Sequence, residues 1–199
     1  RAGAMVTPDA LARQLDALGL NLRESGGYYG YSLALGSAEV TLADLTNAYR
    51  ALANLGRVAP IAFTPGALPR ATQALDAGAA FIVGDILSDP EARAATFGTD
   101  SLLATRFWSA VKTGTSKDMR DNWAVGFSQR YTVGVWVGNA SGAPMWDVSG
   151  TSGAAPVWAT LMRQLHARTP SRPPAPPGGL VRAAARFGDG LEAPREEWF

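Results

Sequence analysis

Apolar residues recur every three to four positions through the first half of the chain, then every second position through part of the second half. This order predicts helices followed by an antiparallel sheet. Thr7 stands where an N-cap belongs, Pro8 suits the first helical position and Gly19 is a stop, so a helix is expected from about Pro8 to Leu18 with Leu11, Leu15 and Leu18 as its stripe. Ser25 to Gly36, rich in Gly and Tyr, reads as loop. A second helix should start after Thr41, with Asp44 in capping-box position, Leu42, Leu45, Tyr49 and Leu52 on one face, and Gly56 at its end. A third is expected from about Ala77 to Leu87, capped by Asp76, with Ala79, Ile82, Val83 and Ile86 as the apolar face and Pro90 limiting its extension. Three prolines between Arg57 and Leu75 leave room for one short strand near Ile61.

Beyond Arg106 the period is two. Phe107 to Thr113 reads as a strand, and Trp123, Val125 and Phe127 alternate with Ala124, Gly126 and Ser128. After Gln129-Arg130, Tyr131, Val133, Val135 and Val137 alternate with Thr132, Gly134, Trp136 and Gly138, which makes a hairpin. One face should then carry the large side chains and the other the small ones, against which a helix can pack closely. The expected helix is Ala155 to Ala167, burying Val157, Trp158, Leu161, Met162 and Leu165 and ended by Pro170. The implied division is a folded part at residues 1–169, a stiff Pro-rich linker at 170–179, and a trailing segment or start of another module at 180–199.

Composition narrows the function. With 47% hydrophobic and 18% charged residues in 199, the chain suits a packed domain. A net charge of +1 offers no basic surface for nucleic acid, and no apolar run is long enough to span a bilayer, so no membrane contact is expected from this segment. One His and no Cys argue against a metal site, and no organic cofactor is implied. The opening Arg1-Ala2-Gly3 and closing Trp198-Phe199 read as cuts from a longer chain.

The chemistry is concentrated in Lys112-Thr113-Gly114-Thr115-Ser116, at the end of a strand that runs into a loop and hairpin. K-T-G alone is a weak signal. Its setting is stronger: Tyr31 to Tyr49 precedes it, Asp121-Asn122-Trp123-Ala124-Val125-Gly126-Phe127 and Val135-Trp136-Val137-Gly138-Asn139 follow, and Gly150-Thr151-Ser152-Gly153-Ala154-Ala155-Pro156-Val157-Trp158 completes the series. As an ordered set, covering roughly Pro8 to Arg168, these runs resemble the class A penicillin-binding proteins. The resemblance implies a mixed α/β fold of the β-lactamase and transpeptidase kind, an antiparallel sheet with helices on both faces, of which the C-terminal half lies here. It implies a peptidoglycan D,D-transpeptidase within a bifunctional glycosyltransferase–transpeptidase, at the periplasmic face of the inner membrane, with stem peptides and β-lactams as its ligands. Lys112 and Thr115 would be catalytic: a cation for the substrate carboxylate and proton traffic, and a backbone N–H forming half an oxyanion hole. Thr113, Gly114, Thr115 and Ser116 would line the substrate, Ser116 reading alternatively as a cap of the loop.

The family's S-x-x-K and S-x-N motifs are the point of departure. No S-x-N occurs in this sequence, and the S-x-x-K at Ser109 to Lys112 lies in a strand, where an odd separation sends the two side chains to opposite faces. Ser109 is therefore a decoy. The nucleophile would belong to a missing N-terminal part of the same domain, and the segment alone is expected to be inactive, to expose apolar surface and to be only marginally stable. A D,D-carboxypeptidase or β-lactamase-like hydrolase, and a non-catalytic interaction module keeping the fold, are the rival readings. His166 reads as a helix-end histidine, Trp123 and Trp158 as core, and Asp118, Arg120 and Asp121 as a solvated turn. Tyr28, Tyr29 and Tyr31 read equally as a groove for the peptide stem or as loop packing.

Overall fold

A three-stranded antiparallel sheet, its strands adjacent in chain order, organises the chain. The computed structural model describes residues 5–67, 69–91, 101–185 and 195–199. Its central strands are β3 (Ala110–Thr115), β4 (Asp121–Phe127) and β5 (Thr132–Gly138). Four helices accompany them: α1 (Pro8–Ala17), α2 (Leu42–Ala53), α3 (Ala77–Ser88) and α4 (Ala155–Leu165). Strand β3 starts later than the period suggests, because Trp108 and Ser109 are already committed to other partners: Trp108 N–H to the Ser171 carbonyl, Ser109 Oγ to Thr105 Oγ1 at 2.9 Å.

The helix caps form as the sequence dictates. Thr7 Oγ1 accepts from Ala10 N–H at 3.2 Å, Thr41 Oγ1 from Asp44 N–H at 3.0 Å, and Asp76 Oδ1 from Ala79 N–H at 2.9 Å. Between α1 and α2 the expected loop is instead a helical turn, Gly26–Tyr29, running into a 3₁₀ helix, Gly30–Leu35. Gly26 makes this possible by lying against the start of α1, where a Cβ would fall 2.4 Å from the Pro8 carbonyl. Ile61 is in no strand; the short pair is β1 (Arg57–Val58) with β2 (Thr72–Gln73) on either side of it.

The hairpin does not sort large from small residues as its alternation suggests. Ser128 to Tyr131 connect the strands, so that Phe127 stands opposite Thr132, Val125 opposite Gly134 and Ala124 opposite Val135. Opposed residues share a face, so each face mixes large and small side chains, and Trp123 stands beside Trp136. Both faces are covered. On the first, Val111, Ala124 and Val135 pack with Ala155, Trp158, Ala159 and Met162 of α4, and Trp158 Nε1 donates to the Val133 carbonyl at 3.2 Å. On the second, a Cβ at Gly134 would lie 2.0 Å from Thr46 Oγ1 of α2, and Gly84 of α3 faces the Phe127 ring.

Two helices present faces other than those expected. In α4, Val157, Leu161 and Leu165 are exposed, and the small Ala155 and Ala159 join Trp158 and Met162 inside. In α3, Val83 and Ile86 are exposed while Ala80, Phe81 and Gly84 are buried. Both segments are apolar on too many sides for periodicity to pick one; the small residues, which admit closest approach, decide it.

The Pro-rich stretch is pinned at its start. Ser171 Oγ donates to the Trp108 carbonyl at 2.8 Å and accepts from Gln129 N–H at 3.1 Å. Beyond it, β6 (Arg182–Ala185) pairs antiparallel with β7 (Arg195–Trp198), and the Trp198 ring meets Phe81 of α3 edge-on at 5.4 Å. Among the described residues no helix is long and apolar enough to cross a membrane.

Candidate active site

The residues at 112–115 form the last part of an edge strand, since β3 pairs with β4 alone among the described strands, and Ser116 follows it. Ser116 N–H donates to the Asp121 carbonyl at 2.9 Å, which makes 116 and 121 a hydrogen-bonded pair. Antiparallel pairs alternate, so Gly114 and Lys112 also bond to β4, opposite Trp123 and Val125. The backbone N–H and C=O of Thr113 and Thr115 are then turned toward the free edge. The Lys112 ammonium, exposed and without an ion pair among the described residues, reaches the same edge and donates to the Thr113 carbonyl at 2.5 Å. One cation and two backbone N–H groups thus share one unpaired rim.

The threonine side chains lie on the α4 face of the sheet. Thr115 Oγ1 accepts from Gly150 N–H at 2.9 Å, while the Thr113 hydroxyl makes no hydrogen bond among the described residues. Gly150 opens a π-helical turn, Gly150–Ala154, that leads into α4 and is closed by reciprocal Ser149 and Ser152 bonds. Ser116 Oγ donates to Asp121 Oδ2 and accepts from Asp121 N–H, both at 2.9 Å, so its hydroxyl fastens the loop between β3 and β4.

Asp121 is not a solvated turn residue. It is half-buried, and its second oxygen accepts from Trp136 Nε1 at 2.9 Å. The exposed Asp118–Arg120 pair, at 3.5 Å, is the solvated part. Asn122 is fully buried beside the site; its Nδ2 donates to the Met119 carbonyl at 3.3 Å and its Oδ1 has no hydrogen-bond partner among the described residues.

Among curated proteins, the chain is similar to penicillin-binding protein 1C of Escherichia coli, at 32% identity over 189 residues, which is 94% of this chain and 24% of that protein. Over most of its length the chain is similar to the class A penicillin-binding proteins. It spans between a fifth and a quarter of the length of the first curated relatives it matches. No family model matches it. Solved structures share the fold, the following two among them. Penicillin-binding protein 1A of Haemophilus influenzae has a TM-score of 0.77 at 19% identity, covering 96% of this chain and 36% of that one. The PonA1 protein of Mycobacterium tuberculosis, solved in complex with penicillin V, has a TM-score of 0.69 at 23% identity, covering 85% and 53%. The architecture of this segment is accordingly that of the β-lactamase and transpeptidase class.

Sequence reasoning found the strand and missed what braces it. The contact from Gly150 to Thr115 spans 35 positions, and its only local trace is a pair of glycines around two hydroxyl residues before a helix. The remaining candidates lie elsewhere. Ser109 is buried and bonded to Thr105, just before β3, whereas Lys112 is exposed. His166 is buried at the end of α4, with Nδ1 2.6 Å from the Thr169 carbonyl and Nε2 2.8 Å from Ser128 Oγ. A carbonyl can only accept, so Nδ1 carries the proton, and Ser128 Oγ also accepts from the N–H groups of Arg130 and Tyr131. The pair therefore closes the hairpin and has no free nucleophile. Trp158 is fully buried and Trp123 half-buried, whereas Tyr28 and Tyr31 are exposed.

Proposed function

We propose that this segment supplies the strand wall of a serine D,D-transpeptidase that cross-links peptidoglycan. The observation that carries the reading is the free rim at Lys112, Thr113 and Thr115, in a chain similar to this family. Lys112 would hold the terminal carboxylate of the stem peptide, with the hydroxyls of Thr113 and Thr115 as donors. Gly114, without a side chain, lets the acyl chain lie along the strand, and Thr115 N–H faces the carbonyl oxygen as it gains charge. Ser116 acts on the site through the loop that it fastens to Asp121.

The serine would come from a part of the domain that this chain does not include. Its oxygen attacks the penultimate D-Ala carbonyl, the C–N bond breaks, and D-Ala leaves with the proton. An amine of a neighbouring stem then attacks the ester, and the serine hydroxyl is restored. β-Lactams acylate the same serine. On this reading residues 1–169 belong to the transpeptidase domain, 170–179 form a linker and 180–199 begin an extension. The parent is a bifunctional synthase with a glycosyltransferase domain, working at the periplasmic face of the inner membrane.

Labelling with a fluorescent penicillin tests the proposal. The complete protein should label, Lys112→Ala should reduce the labelling rate at least about a hundredfold, and the isolated segment should not label. Labelling of the segment alone, or an unaffected Lys112→Ala protein, would overturn it. Release of D-Ala without cross-linked product would assign the parent as a carboxypeptidase.

A further inference from the structure

The bond between Gly150 and Thr115 gives the site a property that the strand alone does not have. A threonine hydroxyl has one proton to give and two lone pairs to fill. In Thr115 one lone pair is filled by Gly150 N–H at 2.9 Å, and the proton goes to no acceptor among the described residues. Its oxygen is held while its proton stays available, and accepting one hydrogen bond polarises the hydroxyl toward donating another. Thr113, without such a bond, has a hydroxyl free to turn.

This contact requires glycine at 150. A Cβ there would lie 2.5 Å from the Gly114 carbonyl oxygen, 2.8 Å from the Trp123 carbonyl oxygen and 3.1 Å from the Gly114 nitrogen. All three are backbone atoms of the sheet, unable to move aside. The turn is also held down from outside the contact: Ser149 N–H donates to Ser152 Oγ at 2.9 Å, Ser152 N–H to Ser149 Oγ at 3.3 Å, and Gly153 N–H to the Ser149 carbonyl at 2.7 Å.

We propose that Gly150 is a positioning residue for anion recognition: its N–H presents the Thr115 hydroxyl as a donor and so sets how strongly the site prefers acyl donors bearing a carboxylate over neutral ones. The inference rests on the reading of Thr115 as a carboxylate ligand.

The experiment compares acylation of the complete protein by a penicillin and by the same penicillin as its methyl ester. The ratio of the two second-order rates measures carboxylate preference, and unfolded molecules leave it unchanged because they react with neither. Thr115→Val should lower the ratio about tenfold, the loss of one charge-assisted hydrogen bond, and Thr115→Ser should keep it. Gly150→Ala should lower it several-fold with the Thr115 side chain intact. Should Gly150→Ala fail to fold, Ser152→Ala, which loosens the turn without a clash, decides instead with a drop of about two- to threefold. A ratio that falls in Thr115→Val but in neither turn variant overturns the role of Gly150 alone. A ratio untouched by Thr115→Val overturns the carboxylate reading beneath it.

Discussion

The indole N–H of Trp136 donates to Oδ1 of Asp121 at 2.9 Å, while Oδ2 of the same carboxylate receives the Ser116 hydroxyl. One side chain thereby ties the end of β3, the start of β4 and the middle of β5. Asp121→Ala leaves the half-buried Trp136 indole unpaired and frees the exposed Ser116 hydroxyl to water, and should lower unfolding free energy by about 2 kcal/mol in urea denaturation. Trp136→Phe should cost less, about 1 kcal/mol, and the double variant less than the sum. Strict additivity would mean that the two residues do not stabilise each other.

Two glycines of the sheet, close in sequence terms, should respond in opposite ways. A Cβ at Gly126 would fall 2.5 Å from the Ala110 carbonyl oxygen and 2.7 Å from the Trp158 ring. Gly126→Ala must part α4 from the sheet, and a loss of about 3 kcal/mol or more is expected. At Gly114 the nearest atom would be Trp123 Cβ at 3.7 Å, an ordinary contact. Gly114→Ala should leave the melting temperature within about 2 °C, yet slow penicillin acylation, because the new methyl group lies where the acyl chain is proposed to run. Equal effects on folding would refute the contrast.

What the sequence made legible follows from the range of each interaction. Caps at Thr7, Thr41 and Asp76 join residues three apart and could be read directly. The hairpin's existence was equally plain in its alternation. Its faces were legible too: a two-residue connection at Gln129-Arg130 and the observed four-residue one both set Val125 against Gly134, so the expected sorting of large from small side chains disagreed with the register that its own turn implied. The buried faces of α3 and α4 were hidden. Burial there goes to Ala80, Gly84, Ala155 and Ala159, small residues that let backbones approach, while a reading by hydrophobicity chose Val83, Ile86, Leu161 and Leu165. In the site, Lys112 to Thr115 was visible as a contiguous run; the support from Gly150 and Asp121 was not, because it exists only once the strands have paired.

Burial raises the pKa of the Tyr49 phenol above its ordinary value near 10 by penalising the phenolate. The unfolded chain would then give up this proton at lower pH than the folded one. The stabilisation is fully present below about pH 10 and is lost as pH rises through the higher folded-state value. Tyr49→Phe should therefore flatten the alkaline limb of the stability curve above about pH 10 and leave stability near pH 7 almost unchanged. Parallel alkaline limbs in the two proteins would show that other groups carry the dependence.

Helix α4 shows the sheet its small residues and leaves Val157, Leu161 and Leu165 exposed at spacings of four along the opposite flank. An apolar stripe of this kind, left in water, favours association between copies. The purified segment should therefore self-associate as its concentration rises, which sedimentation velocity would detect. Leu161→Glu should reduce that association, and it should change unfolding free energy by no more than about 0.5 kcal/mol because the side chain contributes little to the core. Met162→Glu, one position on but fully buried, should instead abolish folding. If Leu161→Glu destabilised the chain as severely as Met162→Glu, the stripe would be part of the core and the placement of α4 would be wrong.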